Sequence, residues 1–168
     1  MLIREIRITD AENLVRVIQQ VEAESEFMLM EAGERQITAE QQRNRIENMK
    51  KSDNSTIFIA EKDNNLLGYL YAIGGTARRT KHSAYIVIGI LKDYRGKGVG
   101  TKLFTKLEEW SMEHNIHRLE LTTVTQNEAG VALYKKMGFE IEGTKRHSLF
   151  IAGEFVDEYY MAKILRIM

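Results

Sequence analysis

Two residue types are missing from this chain of 168 residues: it contains no cysteine and no proline. Without cysteine there are no disulfides, no thiolate metal sites and no cysteine nucleophile. That composition suits a reducing compartment, and a cytoplasmic location is expected. For the absence of proline we have no physical account. No apolar run approaches the roughly 18 residues of a membrane-spanning helix, so no membrane association is expected. The start, Met1-Leu2-Ile3-Arg4-Glu5, lacks a basic stretch followed by an apolar core, so no secretory signal is expected. Neither sign of charge is in excess, because 24 basic side chains face 24 acidic ones. A neutral chain lacks the broad positive field of a phosphate-backbone binder, which argues against nucleic acid as the partner. His82, His114, His117 and His147 have no paired metal-ligand spacing, so no metal is expected.

What is present is the composition of a soluble globular protein, 43% hydrophobic and 29% charged, at a length that fits one domain over residues 1–168. Leu2 to Ile8 reads as a strand. Thr9 stands three residues before Glu12, a capping-box spacing that predicts a helix carrying Leu14, Val17, Ile18 and Val21 on one face. Glu24 to Gln36 breaks that period and reads as a loop or irregular helix. Thr38 and Gln41 cap a second helix running to about Lys51. Three strands follow at Thr56–Glu61, Leu66–Ile73 and Ser83–Leu91, the first two joined by the turn residues Asp63-Asn64-Asn65. After a glycine-rich segment comes an amphipathic helix with Val99, Leu103, Phe104, Leu107 and Trp110. The chain closes with a strand at Arg118–Thr125, a helix at Asn127–Met137 stopped by Gly138, and two strands at about Glu142–Ile151 and Phe155–Leu165. One mixed sheet covered by helices accommodates this order.

The glycine segment is the chemically informative stretch. Gly96, Gly98 and Gly100 lie between a strand and a helix, where residues without Cβ bring backbone N–H groups close to a ligand. The helix that starts here adds unpaired N–H donors and a positive dipole end, together an anion site suited to a pyrophosphate. Arg95, Lys97 and Lys102 supply flanking charge. A dinucleotide fingerprint needs its third glycine one residue later and an earlier place in the chain. A P-loop needs Gly-Lys-Ser/Thr, which Gly100-Thr101-Lys102 does not supply. A plain glycine-rich turn with solvated lysines is the competing reading.

Arg95-Gly96-Lys97-Gly98-Val99-Gly100 resembles the Arg/Gln-x-x-Gly-x-Gly/Ala signature of the GNAT superfamily of N-acetyltransferases. Asn127 to Phe139, Asn-Glu-Ala-Gly-Val-Ala-Leu-Tyr-Lys-Lys-Met-Gly-Phe, is similar to its second hallmark, Asn-x-x-Ala-x-x-Leu-Tyr-x-Lys-x-Gly-Phe. The element order fits that family over essentially the whole chain. The resemblance implies a single, mostly antiparallel sheet of about seven strands with about four helices, splayed between its fourth and fifth strands. It implies acetyl-CoA as cosubstrate, with its pyrophosphate on the amides of Arg95, Gly96, Lys97, Gly98, Val99, Gly100 and Thr101. Ile88, Ile90 and Leu91 are the implied contacts for the pantetheine arm, and Asn127 hydrogen-bonds that arm or serves as a plain helix N-cap. Tyr134 matches the general acid that assists the departing thiolate, or else is a core tyrosine beside Leu133. The implied reaction is direct attack of an amine on the thioester, through an oxyanion held by strand N–H groups at the splay.

The sequence departs from two branches of that family. Thr122 stands five residues before Asn127, where N-terminal acetyltransferases of ribosomal proteins commonly have glutamate, and Tyr85 stands where polyamine acetyltransferases often do. Glu120 shares a strand face with Thr122 and is expected either to act through water or to be a surface or structural glutamate. Phe27, Met28, Glu31 and Glu34 fall in the stretch that builds the family's acceptor pocket, and are expected either to receive an amine or to form a solvated face. Arg78-Arg79-Thr80-Lys81 reads as a hairpin tip, with a homodimer contact or the cofactor's 3′-phosphate as alternatives. The acceptor is thus expected to be a small-molecule amine or a protein or peptide amine. A non-catalytic acyl-CoA-binding sensor module is the alternative.

Overall fold

The computed structural model describes residues 1–166. The runs read as strands pair into one seven-stranded sheet, ordered β1-β2-β3-β4-β5-β7-β6. These are β1 Leu2–Glu5, β2 Thr56–Lys62, β3 Asn65–Gly74, β4 Ser83–Ile90, β5 Arg118–Val124, β6 Glu140–Ile151 and β7 Glu154–Ile164. The helices are α1 Ala11–Glu24, α2 Ala39–Lys51, α3 Val99–Glu113 and α4 Glu128–Lys136. All neighbouring strands are antiparallel except β4 and β5, which run parallel and pair only from Ser83–Arg118 to Tyr85–Glu120. Beyond Tyr85 the two strands part, which is the expected splay.

β2 and β3 are apolar at consecutive positions because both their faces are covered. Phe58 and Ala60 pack under α3 with Leu103, Phe104, Leu107 and Trp110. Ile57 and Ile59 pack on the opposite face against Leu14, Ile18 and Ile46 of α1 and α2. The hairpin turn between these strands puts Asp63 and Asn64 at φ 52° and 65°, a geometry that matches strand twist and that Asn and Asp tolerate. Thr38 caps α2 as expected. Its Oγ1 accepts the Gln41 N–H at 3.1 Å, and Gln41 Oε1 accepts the Thr38 N–H at 2.9 Å. Among the described residues no helix is long and apolar enough to cross a membrane.

The entry into α1 differs from expectation. β1 ends at Glu5, Ile8–Asp10 form a short 3₁₀ turn, and α1 begins at Ala11 without a cap from Thr9. Asp10 takes that place. Its carboxylate accepts the Arg7 N–H at 2.7 Å and both Arg4 Nη groups at 2.8 and 2.9 Å. A charge-assisted pair outcompetes a hydroxyl cap. Burial acts to raise the Asp10 carboxyl's affinity for a proton, but the Arg4 guanidinium and the Arg7 amide outweigh it and hold the group below its ordinary value. A carboxyl depressed in the folded state contributes stability that is present at neutral pH and lost as pH falls through the folded value. Asp10→Asn is therefore expected to flatten the acid limb of a stability–pH curve below about pH 4, measured by urea unfolding from pH 3 to 7. An identical limb in the variant would assign the loss to other carboxylates.

Candidate active site

Where β4 and β5 part, a cleft of about 620 Å³ opens, and it runs from the end of α1 across β4 to the start of α3 and one face of α4. Strand alternation sets its floor. The Leu91 N–H donates to Leu67 O at 2.9 Å, so at Leu91 and Gly89 the backbone faces β3. Ile88 and Ile90 turn their N–H and C=O groups to the open side, where β5 no longer pairs. Both line the cleft. Leu91 does not, because its amide is spent on β3 and its side chain packs toward the α1–α2 core.

Gly96 and Gly98 have φ of 72° and 83°, and a Cβ on either would meet no protein atom within 4 Å. The conformation excludes side chains, while the space beside it stays clear. Gly98 is the N-cap of α3, its carbonyl accepting from Lys102 N at 3.1 Å. The amides of Val99, Gly100 and Thr101 are then the unpaired donors of the first turn. Gly100 serves packing as well, since a Cβ there would stand 2.7 Å from Leu133 Cδ2. Val99 is buried and anchors the helix, and Arg95 Nε donates to Ile90 O at 3.3 Å on the cleft's edge. Lys97 lies outside the lining, with its ammonium 5.6 Å from the centre of the Tyr94 ring. A cradle of backbone donors beside an unpaired strand edge fits a ligand that carries a pyrophosphate on an amide-bearing arm.

α4 supplies the far wall. Asn127 Oδ1 accepts the Gly130 N–H at 3.1 Å, so the side chain is an N-cap, and its amide nitrogen is 3.5 Å from Thr123 Oγ1. Gly130 makes room for it, since a Cβ there would fall 2.4 Å from Asn127 Nδ2. Tyr134 is buried, its ring edge-on to Phe104 at 5.8 Å, yet it lines the cleft. Burial, and secondarily Tyr85, push its hydroxyl up to about 12. At neutral pH it therefore carries its proton and can donate it.

Phe27 and Met28 reach the cleft, whereas Glu31 and Glu34 do not. Glu34 instead closes a local turn, its Oε1 accepting the Glu31 N–H at 3.1 Å. The irregular stretch from Ser25 to Thr38 is clasped to α1 by Arg35, whose Nε and Nη2 meet the buried Glu22 carboxylate at 2.9 and 2.8 Å. Glu24 Oε1 accepts the Lys92 N–H at 3.1 Å and ties the end of α1 to the segment after β4. Lining residues beyond the expected ligand contacts include Tyr94, Gly130, Leu133 and Lys136. Helical spacing from Asn127 reaches Gly130 at i+3. At the fork, the Tyr85 hydroxyl and Thr122 Oγ1 are 2.7 Å apart, a contact between strands that no local pattern announces. A second, more open groove of about 670 Å³ lies between α2 and the β3–β4 turn, away from these donors.

Comparisons with known proteins agree with this geometry. A sequence model of the Acetyltransferase (GNAT) family matches residues 19–139. The L-amino acid N-acetyltransferase AaaT of Escherichia coli is 33% identical over 107 residues, which is 63% of this chain and 66% of the relative. The spermidine N(1)-acetyltransferase of the same organism is 30% identical over 58% of this chain and 52% of its own length. The chain thus spans between half and two thirds of these curated relatives. A crystal structure of an acetyltransferase of the GNAT family from Streptococcus pneumoniae superposes with TM-score 0.94 at 31% identity, covering 98% of this chain and 99% of that one.

Proposed function

The chain belongs to the acetyltransferase (GNAT) family, and from that premise we propose that it transfers an acetyl group from acetyl-CoA to a primary amine by direct attack. The observation that carries the reading is the pairing of a donor cradle at Gly96–Thr101 with a buried, protonated Tyr134 in one cleft. Acetyl-CoA supplies the activated thioester. The amides of Gly98 to Thr101 hold its pyrophosphate, with Arg95 and Lys136 at the rim. The open edge of β4 at Ile88 and Ile90 pairs with the amide-bearing arm and aims the thioester into the fork. An N–H of the same edge polarises the acyl carbonyl. Tyr134 donates its proton, or a hydrogen bond, to the sulfur as the carbon–sulfur bond breaks. The amine nitrogen forms the new bond and gives up one proton, so the products are an amide and free thiol. The acceptors named for the two curated relatives, an amino acid and a polyamine, bracket the amine class.

A ligand bound only by the folded state raises stability by mass action. At a hundredfold excess over its dissociation constant, acetyl-CoA should add about 2.7 kcal/mol, a rise of roughly 5–10 °C in Tm at this chain length. A thermal scan measures it, followed by a thiol-release assay over a panel of amines. No shift with acetyl-CoA alongside a clear one with NAD or ATP would overturn the cofactor assignment. A shift without thiol release from any amine would replace the enzyme with an acyl-CoA-binding module.

A further inference from the structure

Resting on the acetyltransferase reading, we infer that the Tyr85–Thr122 hydroxyl pair receives the acceptor nitrogen and restricts the enzyme to weakly basic amines, the α-amino groups of peptides and of amino acid amides. The last paired position of β4 and β5 is Tyr85–Glu120. One step later the strands diverge, and here the two hydroxyls close across the gap at 2.7 Å. Ala84, Ile86, Leu119 and Leu121 belong to the core under α3. By strand alternation Tyr85 and Thr122 project from the other face. Tyr134 comes to the fork from the α3 side, near enough to Tyr85 to feel that residue in its own ionisation. A nitrogen entering opposite Tyr134 therefore meets two neutral hydroxyls, one of which has a lone pair to accept its N–H.

Several charged groups on the neighbouring elements are engaged by other partners. On β5, Glu120 is held by Arg118 at 2.9 Å, and Arg118 is also bound bidentately by Glu142 of β6 at 2.9 and 2.6 Å. On β7, Tyr160 is opposite Thr122, and Glu158 lies a step further out, opposite Val124, about 7 Å along the strand. Glu24, at the end of α1, is engaged by Lys92 N, with Glu26 following it in the cleft wall. On β3 the neighbour of Tyr85 is Ile73. A neutral pair neither attracts an ammonium nor takes up its proton. The amine has to arrive unprotonated, as about a third of peptide α-amino groups do at pH 7.5, against about one alkylamine in a thousand. As nitrogen bonds to the acyl carbon and the carbon–sulfur bond breaks, its surplus proton leaves through the hydroxyl pair to water. Tyr134 covers the sulfur.

The test is initial thiol release by the wild-type chain with acetyl-CoA, comparing amino acid amides and dipeptides with spermidine and Nα-acetyl-lysine from pH 6.5 to 9.5. The α-amines should be faster at pH 7.5 by at least about 100-fold, with kcat/KM levelling off above about pH 8. Any alkylamine rate should climb nearly tenfold per pH unit to the end of the range. Tyr85→Phe and Thr122→Val should each lower kcat/KM for α-amines by about tenfold or more without moving the dissociation constant of CoA. Glu158→Gln and Glu120→Gln should stay within about twofold. Alkylamines equal to α-amines at pH 7.5, or a tenfold loss in either glutamine variant, overturns the inference and leaves the acetyltransferase reading standing. Failure of every amine to release thiol removes that reading and this inference together.

Discussion

Tyr134→Phe is expected to lower turnover by about 10²- to 10⁴-fold, the usual contribution of a positioned general acid. The ring and its edge contact with Phe104 survive the change, so the fold and CoA affinity should survive too. On the proposed role at the leaving sulfur, removal of the hydroxyl should reduce kcat and kcat/KM together and leave the dissociation constant of acetyl-CoA in place. Burial, and secondarily Tyr85, push the hydroxyl up to about 12, so the wild-type rate should show no descending limb from Tyr134 ionisation below pH 10. The measurement is paired, with initial rates and melting temperature taken on the same preparation. Unchanged turnover with a lower melting temperature would make Tyr134 a packing residue.

Gly98→Val is expected to weaken CoA binding by about 10- to 100-fold, equivalent to roughly 1.4–2.8 kcal/mol. Two effects add. A β-branched residue at φ 83° is strained, and strain there turns the first amides of α3 away from the cradle. The side chain would also occupy space that no protein atom contests, the space through which phosphate approaches in the proposed binding mode. Lys97→Ala should cost only a few-fold, since that ammonium is a screened charge outside the lining. Titration calorimetry with CoA separates the two, with circular dichroism confirming the fold. Equal affinity of wild type and folded Gly98→Val would place the pyrophosphate elsewhere.

Most of this fold is legible in local sequence because its signals are local. Thr38 and Gln41 sit at a fixed spacing, Asp63-Asn64 occupy φ values that few other residues tolerate, and Gly138 ends α4 at φ 94°. Asn127, Tyr134 and the glycine cradle come together because two motifs flank one fork. Long-range register carries the rest. Whether the backbone of Leu91 faces β3 or the cleft depends on its partner Leu67, 24 positions back, and apolar residues on both sides conceal that choice. Thr9 looks like a cap until Arg4 claims Asp10 from the strand before it. Tyr85 and Thr122, 37 positions apart, are each unremarkable until the sheet sets them face to face.

The clasp between Arg35 and Glu22 has an evolutionary corollary. It fixes both ends of the irregular stretch that walls the cleft, so chain between them can change length or composition without disturbing sheet or cradle. Closing such a loop costs only about 0.6 kcal/mol more for each doubling of its length. Phe27 and Met28 lie inside that interval, and the donors at Gly96–Thr101 lie outside it. Insertion or replacement between Glu26 and Glu34 can therefore reshape the cleft wall while the backbone donors at Gly96–Thr101 stay as they are.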